Sequence, residues 1–365
     1  MIKILGKEVV GKEFVDREKE IEKIRKLIQK NNIAVYGPRR IGKTSLMLEF
    51  ARRTNDKYGY MHLDVHRVVP LNHKNFIKNI GSTFINIYSN ITGEKIIPFM
   101  HRIKRELPEL FSRTQIKILK DWVELGTTPN PDISDFMKKT FTLGEKLAEK
   151  AQKDFLILLD EIPGIVRMTK GQPDHRDLDF LWALRSYLNE AKHVHYIISG
   201  SEVGMMEHLC GSKESPFYGS FIPIKIGGLE RKASIIFLKK YVPKKYAAVI
   251  TEETHCFPLY LQAYAIASRL GAKTIDSIRI SAFDLLFLHF KDLENHLSPQ
   301  QRVILKNMAT ENIAETRKIA KKTQLPYSTV HLHLTRMTNT GFIIKVKEGE
   351  YKFIDPIFKK WLATK

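Results

Sequence analysis

The segment Gly37-Pro38-Arg39-Arg40-Ile41-Gly42-Lys43-Thr44 has the spacing GxxxxGK[ST] of a phosphate-binding loop. Its glycines let backbone N–H groups wrap phosphate oxygens, and a following helix turns its N-terminus on the same anion. Lys43 would reach the β- and γ-phosphates, the Thr44 hydroxyl would ligate Mg²⁺, and Ser45 completes the stretch expected to touch nucleotide. A second chemical signal is Phe155-Leu-Ile-Leu-Leu-Asp160-Glu161, an apolar run ending in two carboxylates. At the carboxyl edge of a parallel strand, Asp160 would hold Mg²⁺ through its hydration shell. Glu161 would orient and deprotonate the attacking water. Both halves are intact, so hydrolysis is expected and not binding alone. Tyr196-Ile-Ile-Ser199-Gly200-Ser201 closes a similar strand. Ser199 there reads either as a contact to the γ-phosphate or the water, or as a capping serine.

These groups need a scaffold that brings several strand ends to one edge. Residues 32–36, 58–65, 154–160, 195–199 and 221–226 read as strands, and 18–30, with Asp16 as N-cap, and 44–53 as helices. Residues 71–153 are helical and basic, interrupted by a loop at 126–132. An amphipathic helix follows over 178–192, and beyond Gly227-Gly228 no strand pattern returns before Phe342. The expected class is α/β. A P-loop NTPase parallel sheet occupies 1–228, with a helical insertion at about 71–153. An all-α lid over 229–297 and a winged helix-turn-helix over 298–365 follow.

The chain of 365 residues carries 60 Lys+Arg against 40 Asp+Glu, a formal charge of +20. Such an imbalance points to a polyanionic partner better than a surface merely rich in both signs does. With 43% hydrophobic and 10% aromatic residues it can build cores, which excludes a disordered tail. Two distant cysteines, Cys210 and Cys256, exclude a disulfide scaffold and a zinc site of CxxC spacing. No apolar run approaches the roughly 18 residues of a membrane span. The N-terminus has no signal-peptide apolar region. A cytoplasmic protein without membrane contact is expected.

Residues 298–365 hold 13 Lys+Arg and 5 Asp+Glu. Helices over 299–309, 316–323 and 328–339, then short strands over 342–346 and 351–354, give the winged-helix order. Val330, Leu334 and Met337 would face the core. Tyr327, Ser328, Thr329, His331 and Leu332 would face outward where a recognition helix meets DNA base edges. Arg317, Lys318, Lys321, Lys322, Lys345, Lys347 and Lys352 could contact phosphates. Winged helices also bind proteins, a reading that Leu332 favours. His331 and His333 lack a third ligand of suitable spacing for a metal. Lys95, Arg102, Lys104, Arg105, Arg113, Lys117 and Lys120 in the insertion form either a second polyanion surface or a solvated face.

Taken jointly, these motifs resemble the archaeal ATPase family within the signal-transduction (STAND) P-loop ATPases, relatives of the origin-recognition initiator ATPases. Phe14-Val15-Asp16-Arg17-Glu18-Lys19-Glu20 is similar to the N-terminal motif that lies by adenine in that family. Residues 37–44 and 156–161 match its two phosphate-site motifs, and Ser199-Gly200-Ser201 its sensor strand. Residues 215–219 and 257–261 resemble the post-core segments, with Pro258 in the place of the lid proline near adenine. The end of the chain is similar to the family's winged-helix tails. The resemblance implies ATP or ADP with Mg²⁺ as cofactors, and Phe14, Val15, Arg17 and Pro258 at the nucleotide. The chain departs from the pattern at Asp16 and Cys256, where glycine is common, and at Ser220, where arginine often follows Tyr-Gly. Arg231 and Arg269 are then weak candidates for an arginine supplied across a subunit interface. The expected function is an ATP-hydrolysing switch that binds DNA. The alternatives are a DNA-binding regulator with a structural ADP and a partner-recognition ATPase whose winged helix binds protein. A protein partner or self-assembly stays open.

Overall fold

The computed structural model describes residues 5–93, 113–167 and 175–364. Lys95, Arg102, Lys104 and Arg105 of the basic insertion lie outside the described residues, as do the side chains of Arg113 and Lys117. Lys120 is exposed.

Five strands form one sheet: β1 (Asn32–Tyr36), β2 (Tyr58–Asp64), β3 (Asp154–Asp160), β4 (Val194–Gly200) and β5 (Phe221–Lys225). Their order is β2-β3-β4-β1-β5, and every neighbouring pair is parallel. The central strands are mostly apolar between their ends because helices cover both faces. Leu156 and Leu158 of β3 join Ile33 and Val35 in one core, while Phe155, Ile157 and Leu159 join Ala34 and Tyr36 in the other. Helices α1 (Glu18–Leu27) and α2 (Lys43–Arg53) cover the first face. The second face is covered by α3 (His73–Thr92), α4 (Arg113–Thr127), α5 (Ile133–Ala151), α6 (Pro163–Arg167), α7 (His175–Glu190) and α8 (Val203–Gly211). Strand β2 stops at Asp64, one residue before the expected end, because the Asp64 carboxylate accepts the His66 N–H and turns the chain.

Asp16 does not cap α1. Asp16 and Arg17 both adopt left-handed backbone, φ +68° and +75°, and Arg17 is the cap residue, without a side-chain cap bond. The Asp16 carboxylate instead accepts the N–H of Glu230, at the entry to the next helical region.

After β5 come α9 (Arg231–Leu238), α10 (Ala247–Glu253), α11 (Pro258–Arg269) and α12 (Ile275–Asn295). Then follow α13 (Pro299–Thr310), α14 (Thr316–Thr323), α15 (Tyr327–Asn339), an antiparallel pair β6 (Ile343–Lys347) and β7 (Glu350–Phe353), and α16 (Pro356–Ala363). Ser298 and Gln301 form a capping box at the start of α13. Val330, Leu334 and Met337 are fully buried, as their spacing implies. One apolar core runs without interruption from β1 through Tyr264 and Phe290 to Trp361. No helix among the described residues is long and apolar enough to cross a membrane.

Candidate functional site

The loop between β1 and α2 is set by backbone that favours glycine: Gly42 has φ +97°. The turn brings the Lys43 ammonium inward, where it donates to the Gly37 and Pro38 carbonyls at 3.1 Å each. Burial lowers the pKa of Lys43, and the nearby Glu161 and Asp160 carboxylates oppose that effect. A buried ammonium satisfied by loop carbonyls is ready to exchange them for an anion.

Thr44, the next residue, donates through Oγ1 to Asp160 Oδ2 at 2.5 Å. His62 Nε2 lies 3.2 Å from the same oxygen, and Ser199 donates to Oδ1. Burial alone would raise the Asp160 carboxyl, yet the bonds from His62, Ser199 and Thr44 hold it down at about 2. An ionised carboxylate beside a hydroxyl is a hard oxygen donor set, the chemistry that suits Mg²⁺. Ser199 is fully buried and serves Asp160. It does not line the cleft, and it is not the cap residue of α8. Glu161, with φ +59°, turns into the cleft, where its Oε2 accepts the Ser201 N–H at 3.1 Å and the Ser201 hydroxyl at 3.0 Å.

These groups line a cleft of about 580 Å³ at the carboxyl edge of the sheet. Phe14, Val15, Arg17, Arg39, Arg40, Ile41, Ser45 and Pro258 line it too. Gly37 supports it from behind through its carbonyl, and Pro38 faces a second, smaller cavity. Arg17 is a strut: its buried guanidinium donates to the carbonyls of Ile41, Gly227 and Gly228 and to Glu20. Pro258 opens α11, with its ring 4.0 Å from where a side chain on Gly42 would begin. The segment 9–11 is tied to α2, since Val9 N–H donates to Ser45 and Gly11 N–H to the buried Glu49.

Sequence reasoning missed His62, His66 and His289. Register places His62 opposite Leu158 and Asp64 opposite Asp160, at the same sheet edge. Alternating polar residues at the end of β2 were the available signal. His289 arrives from α12, and burial together with Arg40 pushes its pKa down to about 4.

At the other end of the chain, Tyr327, Ser328, His331 and Leu332 are exposed at the start of α15, while Thr329 is half-buried. Tyr327 and His331 stack with ring centroids 6.3 Å apart. Lys322, Lys345 and Lys347 are exposed but paired with Glu311, Glu348 and Glu350. Lys321 and Arg317 are exposed, with no ion pair among the described residues. Arg231 is paired with Glu252, and Ser220 accepts hydrogen bonds from Arg185 and Asn189.

The geometry defines a P-loop ATPase. Residues 14–255 match the ATPase domain family found predominantly in Archaea, and the chain belongs to that family. Solved structures agree in fold. The Walker-type ATPase of Pyrococcus abyssi superposes with a TM-score of 0.70 at 18% identity, covering 97% of each chain. The ORC2 protein of Aeropyrum pernix, in ADPNP–ADP complexes, gives 0.56 at 13% identity, covering 97% of this chain and 95% of that one. No curated protein sequence matches this one.

Proposed function

We propose that the chain is a switch driven by ATP hydrolysis, whose C-terminal segment binds duplex DNA. The observation that carries this reading is the meeting of Lys43, Thr44, Asp160 and Glu161 in one cleft. Lys43 binds the β- and γ-phosphates, Thr44 and Asp160 hold Mg²⁺, and Glu161 takes the proton of the attacking water. Bound with ATP, Mg²⁺ supplies positive charge to the phosphate oxygens. Phe14 and Val15 from one side and Pro258 from the other enclose the adenosine, so the nucleotide bridges the sheet unit (1–228) and the lid (229–297). Only ATP offers a γ-phosphate, which gives the two nucleotides different holds on that bridge.

Residues 298–365 are read as a winged helix-turn-helix. Tyr327, Ser328, Thr329 and His331 meet base edges, and Arg317 and Lys321 meet phosphates. Lys322, Lys345 and Lys347 sit in exposed, solvent-screened ion pairs, which phosphate can displace. A second reading, a protein partner, is favoured by exposed Leu332 and Val346, 48% and 52% accessible.

Two sets of variants test the proposal. Lys43→Ala is expected to lose most nucleotide affinity, and Glu161→Gln to keep it while hydrolysing at least about a hundredfold more slowly. Equal rates for Glu161→Gln and the parent would remove Glu161 from the chemistry. Arg317→Ala with Lys321→Ala is expected to weaken duplex binding and lower the salt slope by about two. Unchanged binding would turn the segment towards a protein partner.

A further inference from the structure

The carboxylate of Glu161 is not free in the cleft. It is gripped from one side by Ser201, through both the backbone N–H and the hydroxyl. Ser201 stands at the end of β4, in the short loop that enters α8, and is itself buried. The opposite side of that loop is covered by the C-terminal segment, backbone against backbone. A Cβ on Gly204 would lie 2.9 Å from Asn339 Cα and from the Thr338 carbonyl oxygen. A Cβ on Gly341 would lie 3.1 Å from the Ser201 carbonyl oxygen. Gly341 has φ +81°, so it carries the turn out of α15 at a place that favours glycine.

A second cavity, about 140 Å³, opens beside this contact. Arg39, Ser201, His289 and His296 line both it and the nucleotide cleft, and its far wall includes Phe342 and Asp355 of the C-terminal segment. A second attachment is the Tyr260 hydroxyl, which donates to the half-buried carboxylate of Asp355. The hydrolytic site and the C-terminal segment are therefore separated by one loop.

We propose that Ser201 is a positioning residue that clasps Glu161, and that the seat of residues 338–341 on residues 201–204, the loop and the first turn of α8, sets the clasp. Lifting the C-terminal segment then releases Glu161 and raises hydrolysis. This rests on the role given to Glu161 above. A carboxylate that accepts two hydrogen bonds is tied to the loop that donates them. It is also held to one position, and a general base must reach the water's proton. The close glycine contacts leave no flexible side chain to absorb a shift, so a displacement of the segment passes into the loop.

The test is steady-state hydrolysis by the full-length chain, with the affinity for a fluorescent ADP measured alongside. Ser201→Ala removes the hydroxyl bond. The turnover number is expected to rise at least about tenfold, the scale of one hydrogen bond to a charged group, with KM and ADP affinity unchanged. No rise is expected in the Glu161→Gln background. Gly204→Ala adds a methyl against Thr338 and Asn339 inside a helix that accepts alanine. It is expected to give a rise of the same size, and the two changes together no more than one alone. Tyr260→Phe loosens the segment at its other attachment and is expected to act in the same direction, which keeps the test open should Gly204→Ala fail to fold. A fall or no change with Ser201→Ala overturns the clasp. A rise with Ser201→Ala but none with Gly204→Ala or Tyr260→Phe overturns the link to the C-terminal segment. Hydrolysis at the parent rate by Glu161→Gln is a separate failure, that of the role of Glu161.

Discussion

Replacing Arg17 by Ala is expected to loosen the nucleotide cleft without altering any group that touches phosphate. The guanidinium is 4% exposed and donates to Ile41 O at 3.1 Å, Gly228 O at 3.4 Å, Gly227 O at 2.5 Å and Glu20 at 2.9 Å. It therefore joins the phosphate loop to the turn that leads into α9. Truncation leaves the buried Ile41 carbonyl without its partner, at about 1–3 kcal/mol. The more accessible carbonyls of Gly227 and Gly228 recover water, so their loss adds about 1 kcal/mol. A total near 3 kcal/mol lowers the melting temperature of a chain of this length by about 4 °C. Arg17→Lys recovers little, because one ammonium cannot span carbonyls on two segments. The assay is thermal melting of the parent and both variants, each alone and with saturating ADP. The ADP-induced rise should shrink in Arg17→Ala, since the loop that receives phosphate has lost its outer support. A melting temperature within about 1 °C of the parent, or full recovery by Lys, would refute the strut.

Pro258→Gly removes the ring that lies over Gly42. It is expected to reduce ADP-induced stabilisation more than apo stability, and an unchanged ADP shift would leave Pro258 only the role of starting α11. Glu49, held by Arg52 and Arg53 and by the Gly11 N–H, has its carboxyl lowered from 4.5 to about 2. A lowered carboxylate stabilises the fold above its unfolded pKa and loses that effect as pH falls towards the folded one. Melting curves should therefore separate parent from Glu49→Gln most above pH of about 5 and converge as pH falls to about 2. A gap that stays constant over that range would contradict the pairing.

Much of the site was legible because its chemistry is local. The phosphate loop carries its glycines, lysine and threonine in eight consecutive positions, and Asp160 and Glu161 end the strand that presents them. What escaped the sequence depends on elements meeting in space. His62 reaches Asp160 only because β2 pairs with β3, and His289 reaches the cleft only through the packing of α12. Asp16 has a good capping residue's chemistry, yet an N–H 214 positions away captures its carboxylate. Ser199 and Ser201 are one pleat apart, so one supports Asp160 and the other grips Glu161. The positive charge of the C-terminal segment was plain in its composition, but the glutamates that pair with Lys322, Lys345 and Lys347 could be assigned only from the fold.

The central claim is that the nucleotide state governs the grip on DNA. Its most direct measurement is a duplex DNA titration of the Glu161→Gln chain, expected to hold ATP while hydrolysing it at least about a hundredfold more slowly, with ATP and with ADP at two salt concentrations. The account predicts affinities that differ several-fold between the two nucleotides, a difference that Lys43→Ala abolishes. Identical affinities with ATP and ADP at both salt concentrations would contradict it.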